Sequence, residues 1–331
     1  MFKPLLQNLL PVAIALTLSV SLQVSAESSP IPEDTFTPAI AGVTAGGTPI
    51  HLIKEGFDGT EGPIATIDGS GSVLFTETKA NRITRIAPDD GVSSFLENTN
   101  GANGLAFNSQ GELFAAQTLT TKVGIIYPQG KEKVLTENFE GTAYQRPNDL
   151  VLAKNGGIYF TDSGTRATKE NPNPPPSTPG LYYISAEGSI KRIANDIKRP
   201  NGVQLSTDEK VLYVADTDDE HILAYDVAAD GSISGKRKFA KLAGWGKTET
   251  GELSSGADGL AVDANNRLYV ASSAGVEVFS DKGDALGVIP LPKKPQNIAF
   301  AGKDKKTLYV VGRGAAYRIA LLTSGFEGRV K

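Results

Sequence analysis

One pattern occurs six times along the chain, and this repetition constrains the fold more than any other feature of the sequence. Each copy contains a short polar motif, an apolar stretch, a turn with Gly or Asn, and a β-rich run. The copies begin at positions 61, 103, 148, 201, 258 and 296, so successive starts are separated by 42, 45, 53, 57 and 38 residues. A period of about 40–50 residues is typical of propeller blades with four strands each.

The strand pattern within the copies agrees with four-stranded blades. In the third copy, the apolar run Leu181–Ile184 is followed by a turn at Ala186–Gly188 and an alternating segment at Ser189–Ile193, which is typical of a β-hairpin. The sixth copy lacks an obvious fourth strand, and a strand near residues 51–53 can supply it. We predict an all-β, six-bladed β-propeller whose N-terminal strand closes the last blade. The alternatives are a two-sheet sandwich and a β-helix, whose coils are much shorter.

The first 26 residues have the pattern of a secretory signal peptide. Lys3 precedes the largely apolar run Leu9–Leu22, and residues 24–26 have the small–x–small pattern of a signal-peptidase site. A membrane anchor is the alternative, but a spanning helix needs about 20 apolar residues, and this run is short and contains Pro11. We predict cleavage before Glu27 and export to the periplasm or the medium. The predicted organisation is a signal peptide at 1–26, a flexible segment at 27–48, the propeller at 49–323 and a tail at 324–331.

Composition narrows the possible chemistry. The 331 residues include no cysteine and only two histidines, His51 and His221, which excludes disulfides, thiolate nucleophiles and three-His zinc sites. The formal net charge of −4 argues against a nucleic-acid-binding protein, which needs a basic stripe. His51 falls in the predicted closing strand and His221 at the start of an outer strand, so we assign both to structural roles.

The first position of each copy has a side-chain oxygen in all six repeats. These residues are Glu61, Asn103, Asn148, Asn201, Asp258 and Gln296. Equivalent positions of the innermost strands converge on a propeller axis, and carboxylate and amide oxygens are the ligands that suit Ca²⁺. Two unpaired carboxylates in a narrow channel would also repel each other without a cation. The alternative is that the Asn and Asp residues form Asx turns at strand starts, which does not explain Glu61. Asn103 and Gln296 are the weakest candidates for direct ligands and are candidates for holding water or substrate.

Four motifs at these positions have a characteristic order and spacing. They are Thr60-Glu61-Gly62-Pro63, Arg146-Pro147-Asn148-Asp149, Arg199-Pro200-Asn201-Gly202 and Ala257-Asp258-Gly259. Together they resemble the gluconolactonase/regucalcin (senescence marker protein) family, over about residues 52–321. The resemblance implies a six-bladed propeller with one divalent metal on its axis, commonly Ca²⁺ or Zn²⁺, and hydrolysis of sugar lactones or related esters.

The resemblance also implies roles for individual residues. The metal-binding carboxylates of the family correspond to Glu61 and Asp258, and its metal-binding Asn corresponds to Asn201. Asn148 lies where the family has an Asn that binds the metal, a water or the substrate. Arg146 matches the substrate-binding Arg of the regucalcin branch, and its alternative interpretation is a solvated loop charge. We therefore expect one divalent ion, with Ca²⁺ favoured over Zn²⁺, Mn²⁺ and Mg²⁺.

A mechanism follows from this set of ligands. A metal on the lactone carbonyl oxygen would stabilise the tetrahedral oxyanion, and the resemblance suggests Asp258 as the general base that activates water. A metal-bound carboxylate is a weak base, so this role requires its second oxygen to face the water. Arg146, Asn103 and Asn148 are the candidates for binding substrate. The expected partner is a small-molecule lactone, with no nucleic acid, no membrane after leader cleavage, and a monomeric chain.

Two other functional classes stay open at this stage. A non-catalytic propeller would bind a protein or glycan and show metal binding without turnover, or no metal. A strictosidine-synthase-like enzyme would be active without metal, since a fold does not fix a function. Two insertions bear on specificity. The loop 163–179, with five prolines, is either a semi-rigid lid or a solvated loop, and Trp245 is either a packing residue or part of the channel mouth.

Overall fold

The computed structural model describes Met1, residues 35–168 and residues 171–329. The predicted signal peptide therefore lies outside the described residues, except for Met1. The described chain is all-β and forms six four-stranded antiparallel sheets and two short hairpins. In this part of the chain, no helix has the length and apolar character needed to cross a membrane.

Each four-stranded sheet is one blade, and one additional strand precedes the first blade. The additional strand is β1 (Ile50–Glu55). Blade 1 contains β2 (Thr60–Ala65), β3 (Val73–Glu77), β4 (Arg82–Ile86) and β5 (Val92–Glu97). Blade 2 contains β6 (Ala102–Phe107), β7 (Leu113–Gln117), β8 (Lys122–Tyr127) and β9 (Lys133–Thr136). A short hairpin follows, with β10 (Asn138–Phe139) and β11 (Thr142–Ala143).

The second half of the chain repeats this order. Blade 3 contains β12 (Pro147–Leu152), β13 (Ile158–Asp162), β14 (Gly180–Ile184) and β15 (Ile190–Ala194). Blade 4 contains β16 (Pro200–Leu205), β17 (Val211–Asp216), β18 (His221–Val227) and β19 (Ile233–Lys241), followed by the hairpin of β20 (Gly246–Lys247) and β21 (Leu253–Ser254). Blade 5 contains β22 (Leu260–Val262), β23 (Leu268–Ser272), β24 (Gly275–Phe279) and β25 (Ala285–Ile289). Blade 6 contains β26 (Asn297–Ala301), β27 (Thr307–Gly312) and β28 (Ala315–Ala320).

The inner strands of the six blades form a closed ring. Each of β2, β6, β12, β16, β22 and β26 contacts the next, and β26 contacts β2. Blade 6 is completed by β1, which pairs antiparallel with β28 so that Ile50 lies opposite Ile319 and Leu52 opposite Tyr317. The predicted six-bladed propeller with an N-terminal closing strand is confirmed. His51 lies in that strand and His221 begins β18, as predicted.

The second strand of each blade is largely apolar because neighbouring blades cover both of its faces. β13 and β23, for example, are buried at every position. Tyr159, Tyr213 and Tyr269 occupy equivalent places in three blades and are fully buried. The hydroxyl of Tyr159 donates to the carbonyl of Gly231 at 2.9 Å, which satisfies its polar atom. The repeated Tyr of the sequence pattern is therefore a packing residue between blades.

Residues 35–48 pack onto the propeller, which corrects the prediction of a flexible segment for this part of 27–48. Ile40 and Val43 are buried in the apolar cluster of blades 5 and 6, and the N–H of Leu322 donates to the carbonyl of Val43 at 2.9 Å. Burying these two branched side chains offsets the entropy cost of ordering the segment. The C-terminal segment is also docked, since Arg329 is buried and pairs with Glu209 at 3.1 Å.

Candidate functional site

The six oxygen-bearing positions lie at the start of the inner strands, where they form one ring around the axis. One direct hydrogen bond joins two neighbouring members of this ring, and threonines of adjacent blades bind the main chain of two others. Gln296 Nε2 donates to Glu61 Oε1 at 3.0 Å. The Thr76 hydroxyl of blade 1 donates to the carbonyl of Asn103 at 3.0 Å, and the Thr161 hydroxyl of blade 3 donates to that of Asn201 at 2.6 Å. The structure thus brings together the residues that the repeat alignment placed on the axis.

The residue after each ring position is glycine in four of the six repeats, because the main chain of the next blade passes directly against it. A Cβ atom at Gly202 would lie 2.1 Å from the carbonyl oxygen of Asp258, and one at Gly62 would lie 1.9 Å from that of Asn103. Real Cβ atoms do not approach an oxygen so closely. These glycines therefore set how closely the blades, and with them the ring side chains, approach one another.

Two repeats have a polar side chain at this second position, and both connect inner strands. The Asp149 carboxylate accepts from the N–H of Leu150 at 2.9 Å and from that of Val203 in blade 4 at 3.1 Å. Asn297 Nδ2 lies 3.5 Å from Glu61 Oε2. The sequence interpretation did not assign a role to Asp149 or Asn297. The signal that could have identified them is their departure from glycine in an otherwise regular repeat.

Glu61 and Asp258 share one poorly solvated environment. Glu61 is 7% exposed, and burial raises its pKa to about 7, although Arg146 opposes the shift. Burial, followed by repulsion from the Glu61 carboxylate, raises the pKa of Asp258 well above its ordinary value. This is the electrostatic conflict between two channel carboxylates that the sequence predicted.

Three ring oxygens are buried and have no hydrogen-bond partner among the described residues: Asn103 Oδ1, Asn201 Oδ1 and Asp258 Oδ1. The amide nitrogen of Asn201 donates to Thr217 Oγ1 at 3.1 Å, which leaves the amide oxygen as the unpaired atom. Buried acceptors without partners cost free energy, and binding a cation would remove that cost. The donor set of two carboxylates and several amide oxygens fits a hard divalent cation.

The amide oxygens are necessary for any such site. Among residues 35–168 and 171–329, no group of three or more His, Cys, Asp or Glu side chains is placed to hold a metal ion. Glu61 and Asp258 provide only two charged ligands. Asn201 and Asn148 would therefore have to provide the remaining protein ligands of a cation at the ring. Asn148 is 5% exposed.

A cavity of about 630 Å³ opens at the ring. Glu61, Asn103 and Gln296 line its base, and Arg146 lines its exposed mouth. The other three ring residues, Asn148, Asn201 and Asp258, do not contribute to its lining. The predicted substrate residues Arg146 and Asn103 thus share a cavity with Glu61, whereas most of the predicted metal ligands lie on the other side of the ring.

Two equivalent carboxylates hold the main chain at Arg146, which lines the cavity, and at Arg199, which does not. Asp162, at the end of β13, accepts from the N–H of Arg146 at 2.7 Å. Asp216, at the end of β17, accepts from the N–H of Arg199 at 3.0 Å. Burial, with repulsion from Arg166 and Arg146, lowers the pKa of Arg199 to about 10. Arg199 was not among the predicted site residues, although the shared Arg-Pro-Asn pattern of the third and fourth repeats could have identified it.

The loop 163–179 is attached beside the cavity. The side chain of Gln145, which lines the cavity, donates to the carbonyl of Pro176 at 2.8 Å and accepts from the N–H of Thr178 at 2.8 Å. No described residue of the loop lines the cavity, and neither does Trp245. This arrangement does not support the lid interpretation, and the loop contacts the cavity wall through Gln145.

The raised pKa of Glu61 predicts a pH-dependent stability of the metal-free protein. Between its ordinary pKa of 4.5 and the folded value of about 7, the folded chain retains a proton that the unfolded chain has lost. Stability is therefore lost as the pH rises through this window. Between pH 4.5 and pH 7.5, we expect the unfolding free energy of the wild type to fall by on the order of 2 kcal/mol more than that of Glu61→Gln. Urea denaturation in EDTA at pH 4.5 and 7.5 measures the unfolding free energy of both proteins. An equal change in this free energy for the wild type and for Glu61→Gln would refute the prediction.

Comparisons with known proteins identify relatives of this chain and structures with the same fold. The sequence profile of the family described as SMP-30/Gluconolactonase/LRE-like region matches residues 60–313. A gluconolactonase of Zymomonas mobilis is 27% identical over 312 residues, which cover 88% of this chain and 86% of that protein. Among solved structures, a gluconolactonase of Xanthomonas campestris has a TM-score of 0.73 at 24% identity, covering 88% of this chain and 99% of that one. Regucalcin of Agrobacterium tumefaciens, a calcium-binding protein, has a TM-score of 0.67 at 17% identity, covering 84% and 95%. The two structural similarities establish the shared fold.

Proposed function

The chain belongs to the SMP-30/gluconolactonase/LRE-like family of lactone-hydrolysing propeller enzymes, and from this premise we propose that it opens sugar lactones or related cyclic esters with the help of a divalent cation bound at the axial ring. The observation that carries the metal requirement is the group of three buried, unpartnered oxygens, two from amides and one from Asp258, together with the Glu61 carboxylate that repels Asp258. A lactonase that used only protein groups would have no need for such an arrangement.

Glu61, Asn148, Asn201 and Asp258 are the residues that we propose to hold the cation. All four offer oxygen, and the site has no sulfur or imidazole ligand, which favours Ca²⁺ over softer ions. The calcium-binding description of the structurally similar regucalcin supports this choice. When bound, a divalent cation supplies a Lewis acid that polarises the lactone carbonyl and stabilises the developing oxyanion.

Asp258 is the proposed general base. Burial and the Glu61 carboxylate raise its pKa, which strengthens it as a proton acceptor and counters the opposite effect of a nearby cation. Its Oδ1 atom has no hydrogen-bond partner among the described residues, so one oxygen of the carboxylate can bind the cation while the other takes a proton from the attacking water. The burial that makes Asp258 basic also limits access of other water molecules to the ring.

The remaining residues orient the substrate and the carboxylates. Gln296 holds Glu61 through the 3.0 Å hydrogen bond to Oε1, and Asn297 Nδ2 lies 3.5 Å from Oε2. Asn103 and Asn148 are proposed to bind the hydroxyl groups of the sugar ring. Arg146 lines the cavity mouth, where its guanidinium can donate to the substrate.

The test is hydrolysis of a panel of aldonolactones and simple γ- and δ-lactones by the full chain, before and after EDTA. We expect turnover of sugar lactones, its loss in EDTA, and its recovery with Ca²⁺. Unchanged rates in EDTA would refute the metal requirement. Metal binding without turnover of any lactone would instead support a non-catalytic propeller.

We also propose that the protein is exported, because residues 1–26 have the signal-peptide pattern described above. Expression with the native leader in a bacterial host should give a protein whose N-terminus is Glu27, as read by intact mass and N-terminal sequencing. Ala26→Asp should block cleavage, because signal peptidase requires a small residue there. A wild-type chain that keeps its leader and sediments with membranes would support the anchor alternative.

A further inference from the structure

Basic side chains without acidic partners surround the mouth of the 630 Å³ cavity. Lys79, Arg146 and Arg313 line it and are exposed. None of the three forms an ion pair with another described residue, whereas nearby Arg82 pairs with Glu77 at 2.8 Å. The acidic residues of the same lining are Asp58 and Glu61.

Two of these arginines have a second basic residue beside them. Arg146 lies close enough to Arg199 to repel it, and Arg199 is half-buried. Arg313 similarly lies near Lys294, whose pKa is lowered by burial and by repulsion from Arg313. Glu61, Asp149 and Asp258 balance part of this charge, but a divalent cation at the ring would neutralise the carboxylates. The mouth of the loaded enzyme would then be positive overall.

Arg313 is attached to the ring by one glutamine. Its N–H donates to Gln296 Oε1 at 2.8 Å, and Gln296 Nε2 donates to Glu61 Oε1 at 3.0 Å. Arg313 has φ of 51°, a conformation that costs free energy for a residue with a side chain and that Gly or Asn adopts more readily. In this turn between β27 and β28, the exposed Arg313 side chain lines the cavity.

A neutral sugar lactone has no group that requires several unpaired cations at the outer end of the cavity. We propose that the preferred substrates are anionic lactones, which carry a carboxylate or a phosphate at the end of the molecule remote from the scissile bond. Arg313 is the specificity-determining residue that binds this group, together with Arg146 on the facing wall. The inference rests on the proposed lactonase function of the same cavity and adds the charge of its substrate.

The test compares kcat/KM for three lactones with the full-length, calcium-loaded protein. They are neutral glucono-1,5-lactone, the carboxylate-bearing 1,4-lactone of glucaric acid, and the phosphate-bearing 6-phosphoglucono-1,5-lactone. We expect at least one anionic lactone to be favoured by about 10-fold or more. The advantage should decrease as ionic strength rises, because salt screens attraction at an exposed mouth. The two anionic substrates show whether the group is a carboxylate or a phosphate.

Two variants test whether the preference for anionic lactones arises at the cavity. Arg313→Gln should reduce the ratio of anionic to neutral kcat/KM by about 10-fold. Lys282→Gln is the control, since it removes one positive charge from an exposed outer turn and should leave the ratio unchanged. Equal or better turnover of the neutral lactone, with a ratio that Arg313→Gln does not alter, would overturn the inference while the lactonase function stands.

A binding measurement separates the two proposals if no lactone is hydrolysed. That outcome would refute the lactonase function, and calorimetric titration with D-glucarate and D-gluconate would still decide the charge preference. Tighter binding of the dianion that is weakened in Arg313→Gln supports an anion site at the mouth. Equal affinity for the two compounds, unaffected by Arg313→Gln, overturns it.

Discussion

Asp258→Asn is expected to reduce the kcat for lactone hydrolysis by about 10²–10⁴-fold, which is the usual contribution of a general base. The substitution preserves the shape of the side chain but removes the charge that would bind the cation and accept the proton. Because Asp258 is a costly buried carboxylate in the metal-free state, its neutralisation should not unfold the propeller. Steady-state kinetics and urea denaturation of the same preparation measure both effects.

Asp281→Asn is the matched control. Asp281 lies in an exposed turn of blade 5, so the same chemical change there should leave kcat and stability close to those of the wild type. If Asp258→Asn keeps most of the activity, another group must activate the water. If it loses activity only together with its fold, the ring has a structural role.

Gly202→Ala is expected to destabilise the propeller by about 3 kcal/mol, at the upper end of the usual cost of overpacking. The added Cβ would lie 2.1 Å from the carbonyl oxygen of Asp258, and that oxygen belongs to the main chain, so a rotamer change cannot relieve the clash. Blades 4 and 5 must move apart, which would also displace Asp258 from the ring. We therefore expect the free energy of unfolding and the lactonase rate to fall together.

Gly246→Ala provides the comparison for this variant. A Cβ at Gly246 would meet nothing within 4 Å, so its unfolding free energy should change by no more than about 1 kcal/mol. Denaturation midpoints in urea for both variants measure the difference. Equal midpoints would mean that the inner strands can separate at little cost, and that the glycines do not set the size of the ring.

The fold could be predicted from the sequence because its determinants are local and repeated. The hairpin expected at Leu181–Ile184 and Ser189–Ile193 corresponds to β14 and β15. The missing fourth strand of the sixth repeat required a partner, and β1 supplies it. The ring of oxygens could be predicted for the same reason, since symmetry-equivalent positions of a propeller must converge on its axis.

The mouth of the cavity could not be predicted in this way. Lys79 and Arg313 lie in turns that follow second strands, and their side chains meet at one cavity only after the ring has closed. The role of Asp149 depends on a contact with the N–H of Val203 in the next blade, which no local pattern indicates. A repeat pattern predicts the residues that all blades have in common. Lys79, Arg313 and Asp149 each occur in one blade only, so the pattern does not predict their roles.

The packing of residues 35–48 was missed for a different reason. Ile40 and Val43 are isolated apolar residues in a segment rich in Thr, Ala and Gly, with neither a period of two nor a helical period. Such a composition is typical of a mobile segment. Most of the surface that orders it consists of residues between Ala261 and Leu321 in blades 5 and 6, which lie more than 200 residues away in sequence. Ile50 of the adjacent strand β1 also belongs to this cluster.

The most direct test of the axial ring is a Ca²⁺ titration of EDTA-treated protein in which the bound ion and the initial rate of lactone hydrolysis are measured in the same samples. The substrate is the lactone turned over fastest in the panel. We expect the rate to rise in proportion to the bound ion and to level off at one ion per chain, because the proposed ligands Glu61 and Asp258 are close enough to repel each other and a single cation would relieve that repulsion. Full hydrolysis by the ion-free protein, or a rate that does not follow the bound ion, would contradict a metal-dependent lactonase built on this ring.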